Sequence, residues 1–299
     1  MKLPRLILTP LIALAPVLAA ATELAEVHVF STGENGIFAN AYLIETSAHV
    51  VAIDATLLES TSQALREKLV AIGKPLRAVL LTHGHPDHYN GVTRLVAGEK
   101  VEVIATAATD RVIREYDAAK EAQWAPVFGT EWPKQRTFPN RVFADGESLA
   151  VDGVTFSVHP VGPGESHADS YWLMTAGSQR VAFIGDIVLQ GVHAYVSDGH
   201  TTAWLKNLAR VRAELKPGDR IYPGHGDAGG LELFDAQRDY LLEYRRVVAS
   251  LAEGKPNLTD EQKKALTAQM LSFRPTHHLE FLIALGADAV AGELVKERK

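Results

Sequence analysis

The sequence predicts an α/β fold on three observations: β-type runs open the chain, helical spacings alternate with further strands through its middle, and the stretch beyond Leu231 is mostly helical. The opening runs cover 26–31, 41–46 and 50–54, and a Ser-Ala-His turn separates the second from the third, as in a meander. Residues 60–72 have helical spacing, with Ser60 or Thr61 as cap and Gly73 as stop, and 77–81 is a compact apolar strand. Strands are then expected over 101–104, 154–159, 171–175 and 181–184, with helices over 106–120 and 202–215. Beyond Leu231, helices over 231–253, 259–270 and 276–296 are separated by Gly254-Lys255-Pro256 and by Pro275. The segment 124–138 carries Trp124, Phe128, Trp132 and Phe138 among proline and glycine breaks. It reads as an irregular loop, either a lid or a loop pinned to the core by its aromatics.

With 299 residues, 46% of them hydrophobic and 22% charged, the chain can bury a full core and leaves little room for disorder. Residues 1–21 stand apart. Lys2 and Arg5 form a basic start, Leu6 to Leu18 is almost wholly apolar but interrupted by Pro10 and Pro16, and Ala19-Ala20-Ala21 offers a small-residue cleavage site. That is the pattern of a secretory signal peptide, so residues 22–299 are expected to be one domain, periplasmic or secreted and not anchored in a membrane. Cleavage would remove two bases and no acid, taking the formal charge from −6 to −8, a balance unsuited to nucleic acid. Zero cysteines exclude disulfides, thiolate nucleophiles and cysteine-ligated metal, so any metal must sit on His, Asp or Glu.

The segment LTHGHPDHY, residues 81–89, begins where the 77–81 strand ends and holds His83, His85, Asp87 and His88. Imidazole nitrogen is a good zinc ligand. His83 and His85, two apart in an extended turn, point to one side, while Asp87 and His88 follow a Pro86-initiated turn that can open a helix and face a second ion. Two ions need more ligands, and ligand-type residues stand in glycine-containing turns after later strands: His167 in Gly164-Glu165-Ser166-His167-Ala168-Asp169, Asp186 after Gly185, and His225 in Pro223-Gly224-His225-Gly226. Asp169 is an alternative oxygen ligand in the His167 loop.

These motifs make the chain resemble the metallo-β-lactamase-fold hydrolase superfamily from about Val27 to Gly226, with a ligand set like those of glyoxalase II-like thioesterases and lactonases. The resemblance implies an αββα sandwich, here with additional C-terminal helices, and metals along one edge of the sheets. It implies one metal on His83, His85 and His167, another on Asp87, His88 and His225, and Asp186 bridging them. An aspartate at Asp186 favours the broader hydrolases over β-lactam-cleaving subclasses. The third-histidine loop, Gly164-Glu165-Ser166-His167-Ala168-Asp169, departs from the family's commoner Gly-His-Thr, and Leu189 stands where acyl-homoserine lactonases place a tyrosine.

The expected activity is therefore an exported metal-dependent hydrolase acting on a small molecule. It would use two Zn2+, with iron or manganese fitting the same ligands, to ionise a water for attack on an ester, thioester, lactone or amide carbonyl, and Asp87 would orient that water and carry its proton. A periplasmic β-lactamase and a mononuclear iron persulfide dioxygenase are the alternatives on the same fold. His28, His49 and His159 lie in or beside strands and receive no role. His193, Tyr195 and His200 are either pocket-lining or part of a helix entry, His277-His278 is a cap or surface pair, and Asn35-Gly36 is a β-turn.

Overall fold

Residues 40–45 show how the sequence builds the layers. In strand β2 (Asn40–Glu45) every residue but the last is buried, so both faces of the strand are covered, and successive side chains go to opposite sides. Tyr42 and Ile44 join one hydrophobic cluster and Ala41 and Leu43 another. The computed structural model describes residues 25–298; the predicted leader at 1–21 lies outside the described residues.

Strand β2 belongs to a six-stranded sheet ordered β1 (Glu26–Ser31), β2, β3 (Val50–Ile53), β4 (Leu76–Leu80), β5 (Glu102–Thr106), β6 (Arg141–Phe143). The first three strands form the expected antiparallel meander, and β3 to β6 run parallel. A five-stranded sheet, ordered β11 (Arg220–Pro223), β10 (Gln179–Gly185), β9 (Asp169–Ala176), β8 (Val154–Gly162), β7 (Ser148–Val151), faces it. Tyr42, Ile44, Val51, Ile53 and Leu80 of the first sheet pack against Phe156, Val158, Trp172, Met174 and Phe183 of the second.

Helices cover both outer faces. Against the first sheet lie α1 (Glu59–Ile72), the short α2 (Pro86–Tyr89), α3 (Val92–Val96) and α4 (Ala107–Phe128), through residues such as Leu65, Leu69, Leu95 and Ile113. Against the second lie α5 (Thr201–Glu214), α6 (Glu232–Ala252), α7 (Asp260–Phe273), α8 (Phe281–Leu285) and α9 (Ala287–Glu297), through Trp204, Tyr240, Met270, Ile283 and Val290. The architecture is the expected αββα sandwich with added C-terminal helices. Among the described residues, no helix is long and apolar enough to cross a membrane.

Three expectations need correction. Segment 124–138 is not all loop: α4 continues through Pro126 to Phe128, because Trp124 and Phe128, four apart on one face, pack with Leu57, Leu58 and Trp132. The start of α1 is capped from Leu58, whose N–H donates to Thr61 Oγ1 at 3.2 Å, so Ser60 and Thr61 lie inside the first turn. The expected 276–296 helix is two helices broken at Gly286, where a Cβ would sit 2.3 Å from Val196 Cγ2.

Trp172 ties the sandwich to the end of β4. Fully buried between the sheets, it donates its indole N–H to Leu81 O at 3.0 Å, directly before the histidine-rich turn. Trp172→Ala is expected to lower unfolding stability by about 3–5 kcal/mol, read as a lower urea midpoint at unchanged slope; a midpoint like the parent's would contradict this packing.

Candidate metal centre

All the site residues stand just beyond the C-terminal ends of strands. Asp54 follows β3, the 82–88 turn follows β4, Glu165 follows β8, Asp186 follows β10 and His225 follows β11. The two sheets are bonded to each other at this edge. Ser170 donates from N (2.9 Å) and Oγ (2.6 Å) to Thr82 O, and Asn40 donates from N to Gly224 O (2.7 Å) and from Nδ2 to Pro223 O (3.2 Å) and Gly226 O (2.7 Å). Tyr42 OH also donates to Pro223 O. Loops from both sheets are thereby held against one another, which brings distant ligands together.

Besides the set Asp54, His83 and His88, two further ligand groups result. His83, His85 and Glu165 form one and Asp87, His88 and His225 the other, with the candidate ligand atoms of each group within 4.8 Å of one another. In the second, Asp87 Oδ2 lies 3.3 Å from His88 Nε2 and 3.2 Å from His225 Nε2. Asp186 reaches the same nitrogens, with Oδ1 3.4 Å from His88 Nε2 and Oδ2 3.2 Å from His225 Nε2. Only glycine fits at 224, since a Cβ there would meet Asp186 Oδ1 at 1.8 Å and His88 Cε1 at 3.0 Å. The His83 and His88 rings, from different groups, have centroids 4.2 Å apart, so the two groups are neighbours.

The imidazoles are tethered from behind. Asp54, held with φ 57°, accepts from Thr82 N (2.8 Å), Thr82 Oγ1 (2.7 Å) and His88 Nδ1 (3.0 Å). Thr82 Oγ1, having given its proton to Asp54, accepts from His83 Nδ1 at 3.0 Å. His225 Nδ1 donates to Ile37 O (3.0 Å), and His85 Nε2 to Asp198 Oδ2 (3.2 Å). With the outer nitrogen of each ring committed as donor, the inner nitrogen is the one that faces the site; the carboxylates around them overcome burial and raise His85, His88 and His225, so a cation binding there would displace the inner protons. His83 Nε2, His88 Nε2, Glu165 Oε2 and Asp186 Oδ1 are buried without a hydrogen-bond partner. His85 Nδ1 approaches Glu165 Oε2 at 2.7 Å as an ion contact that is not aligned as a hydrogen bond. Buried acceptors converging on one another without donors are what a divalent cation satisfies.

Charge follows the same layout. Burial alone would lower the His85 imidazole, but the Glu165 and Asp198 carboxylates raise it to about 10, while burial raises the Glu165 carboxyl against the pull of His85. Asp87 and Asp186 are held below the usual carboxylate range, where the nearby imidazoles outweigh burial. Burial, with His88 beside it, takes His83 well below the usual imidazole range.

Six of the expected ligands are brought together: His83, His85, Asp87, His88, Asp186 and His225. His167 is not. Its ring stacks on Tyr116 with centroids 4.4 Å apart, and Nδ1 lies 2.7 Å from His200 Nε2. Glu165 occupies its place because Asp169 shapes the turn, accepting from Glu165 N (2.8 Å), Ser166 N (3.1 Å) and Ser166 Oγ (2.5 Å). Asp169 is thus a turn former and not an oxygen ligand, and the turn presents the residue after Gly164 to the site. Two functional residues were missed in the sequence, Glu165 and Asp54. The Gly164-Glu165-Ser166 run in place of Gly-His-Thr was the available signal for the first.

Beside the clusters opens a cleft of about 660 Å3, its open mouth included, reached by His85, Asp87, Glu165, Asp186 and His225 and otherwise walled largely by apolar side chains. His193 and Tyr195 line it, whereas His200 stands at the start of α5.

Residues 35–225, more than half of the chain, match the profile of the Metallo-beta-lactamase superfamily. A metallo-beta-lactamase type 2 from Bacteroides fragilis is 29% identical over 110 residues, 36% of this chain and 43% of that protein. A hydroxyacylglutathione hydrolase from Methylobacillus flagellatus is 25% identical over 226 residues, 73% of this chain and 76% of that protein. The crystal structure of a beta-lactamase domain protein from Burkholderia ambifaria superposes with a TM-score of 0.69 at 17% identity, covering 93% of this chain and 88% of the other. The chain spans about half the length of the first curated relatives it matches.

Removing Glu165 should separate it from His167. Glu165→Ala is expected to lower the metal bound per chain after dialysis against a weak chelator, His167→Ala to leave it at the parent value, and Asp54→Ala to weaken metal affinity about 10–100-fold. Atomic emission on the three proteins checks this; loss of metal in His167→Ala with retention in Glu165→Ala would reverse the assignment.

Proposed function

The chain belongs to the metallo-beta-lactamase superfamily, and from that premise we propose that it is a hydrolase carrying two zinc ions that cleaves an ester, thioester, lactone or amide carbonyl of a small molecule. The observation that carries the reading is the pair of adjacent ligand groups whose inner nitrogens and carboxylate oxygens are buried and unpartnered. His83, His85 and Glu165 would hold one ion and Asp87, His88 and His225 the other, with Asp186 shared. When bound, such ions supply Lewis acidity and lower the pKa of water toward about 7.

The chain's own groups do the rest. Asp87 is buried except where it lines the cleft, which places its carboxylate to orient an incoming water and accept its proton. Asp54, through Thr82 and His88, fixes the tautomers of two rings, so that the ligand nitrogens need no reorganisation. The apolar cleft walls exclude bulk water from the reacting carbonyl.

In the test, protein stripped with chelator is reloaded with zinc, iron or manganese and assayed on esters, thioesters and lactones, a chromogenic cephalosporin and a persulfide with oxygen monitoring. Hydrolysis of a carbonyl panel that is lost on stripping and restored by zinc at two ions per chain is expected. Cephalosporin turnover dominating the panel, or one iron per chain with oxygen uptake, would replace the reading. The dioxygenase alternative leaves the Asp87, His88 and His225 group without a task.

We further propose that the protein acts outside the cytoplasm, on the strength of the basic, apolar and small-residue pattern of residues 1–21. Protein recovered from expressing cells should begin at Thr22 on N-terminal sequencing; a chain retaining Met1 in the cytoplasm would refute export.

A further inference from the structure

The cleft beside the ligand groups is built as an apolar holder. Its walls include Leu57 before α1, Trp124 and Phe128 of α4, Val192 after β10, and Phe281 and Leu282 of α8. Trp124 and Phe281 meet edge to face across it, with ring centroids 6.4 Å apart, joining the helical layer of the first sheet to that of the second. Phe281 stays 53% exposed and Leu285, one turn on, 41%. A large apolar side chain left open at the mouth of a cleft that leads to buried polar ligands, as Phe281 is, marks a surface an apolar ligand covers.

The charges in the same cleft narrow the ligand further. Among the described residues lining it, Lys120 is the one lysine or arginine, and it is already engaged. Its Nζ donates to Tyr195 OH at 3.1 Å and lies 3.6 Å from Asp198 Oδ1. Asp198 in turn accepts from His85 Nε2 and from Tyr195 OH (3.2 Å). Diverting Lys120 to a substrate anion would leave the half-buried Asp198 carboxylate short of its cation. A glutathione moiety, with two carboxylates and an ammonium, therefore finds no free cation on these walls and a largely apolar surface instead.

Resting on the hydrolase reading above, we propose that the substrate class is an uncharged carbonyl compound with a medium-length apolar acyl or aryl group, seated between Trp124, Phe128, Val192 and Phe281, and not a glutathione thioester. The reacting carbonyl lies where His85, Asp87 and His225 reach the cleft, and the apolar group extends toward α8.

The full zinc-loaded chain is assayed on p-nitrophenyl acetate, butanoate, hexanoate and octanoate and on a lactoylglutathione thioester, and acetate and octanoate binding are compared by calorimetry. Each added methylene buried should raise kcat/KM about fourfold, mainly through KM. Trp124→Ala and Phe281→Ala should flatten that series with metal content unchanged, and octanoate should bind more tightly than acetate with a negative heat-capacity change. If the variants fail to fold, the parent's chain-length series and the calorimetry decide alone. A flat series on an active enzyme, or a glutathione thioester turned over a hundredfold better than the octanoyl ester, overturns the substrate class and leaves the hydrolase standing. Tight octanoate binding without turnover of any ester, thioester, lactone or amide upholds the apolar site and sinks the hydrolase reading.

Discussion

The structure depends on the outward hydrogen bonds of four imidazoles. His83 gives its outer proton to Thr82, His88 to Asp54, His225 to a backbone carbonyl and His85 to Asp198. Those bonds decide which nitrogen of each ring faces outward, and the fold turns the other nitrogen of every ring inward, where a cation can take the place of a proton. A buried acceptor without a donor destabilises a fold by about 1–3 kcal/mol, and His83 Nε2, His88 Nε2, Glu165 Oε2 and Asp186 Oδ1 are four such atoms within one site. A sequence keeps such a liability where a function requires it, and cation binding converts it into stabilisation, because a ligand that binds only the folded chain adds its free energy to folding.

Holding ligand atoms against one another requires a rigid frame, and the frame is the edge where the two sheets meet. The apolar core between the sheets supplies most of the stabilisation, but it fixes the site only because hydrogen bonds cross between the loops: Ser170 to Thr82, Trp172 to Leu81, Asn40 and Tyr42 to the Pro223-Gly224 backbone. Each is buried, so each is worth more than its exposed counterpart and leaves an unsatisfied group if broken. Strand ends from different parts of the chain are thus registered to within the tolerance a metal site needs.

What could be read from the sequence divides along the same line. His83, His85, Asp87 and His88 are legible because their spacing is local: one turn after one strand sets all four. Asp186 and His225 are legible because the glycines beside them, Gly185 for the first and Gly224 and Gly226 for the second, mark close backbone approach. Asp54 was not, since an aspartate after a strand looks like any turn residue until Thr82 and His88 fold onto it across the sheet. Glu165 was passed over for His167 because imidazole is the better ligand by type, and the choice between them is made by Asp169, whose bonds to residues 165 and 166 rotate the loop. The α/β order, the meander and most strands followed from pattern. The end of α4 did not, because Pro126 and Gly129 argue locally for a loop while Trp124 and Phe128 are recruited by Leu57 and Leu58 from elsewhere in the chain.

Asp198 joins the two halves of the site. One oxygen orients a ligand imidazole, His85; the other accepts from Tyr195 and faces Lys120, both on the cleft wall. A half-buried carboxylate beside a candidate metal ligand raises that ligand's basicity and fixes its ring, but it also adds a negative charge to a site already holding the buried Asp87, Glu165 and Asp186. Lys120 offsets that charge, and its commitment removes from the cleft the cation that could have met an anionic substrate. The polarity of the pocket is therefore a consequence of how the first ligand group is supported: the more strongly the chain braces His85, the less positive charge it has left for recognition, and apolar contact becomes the remaining means of selecting a ligand.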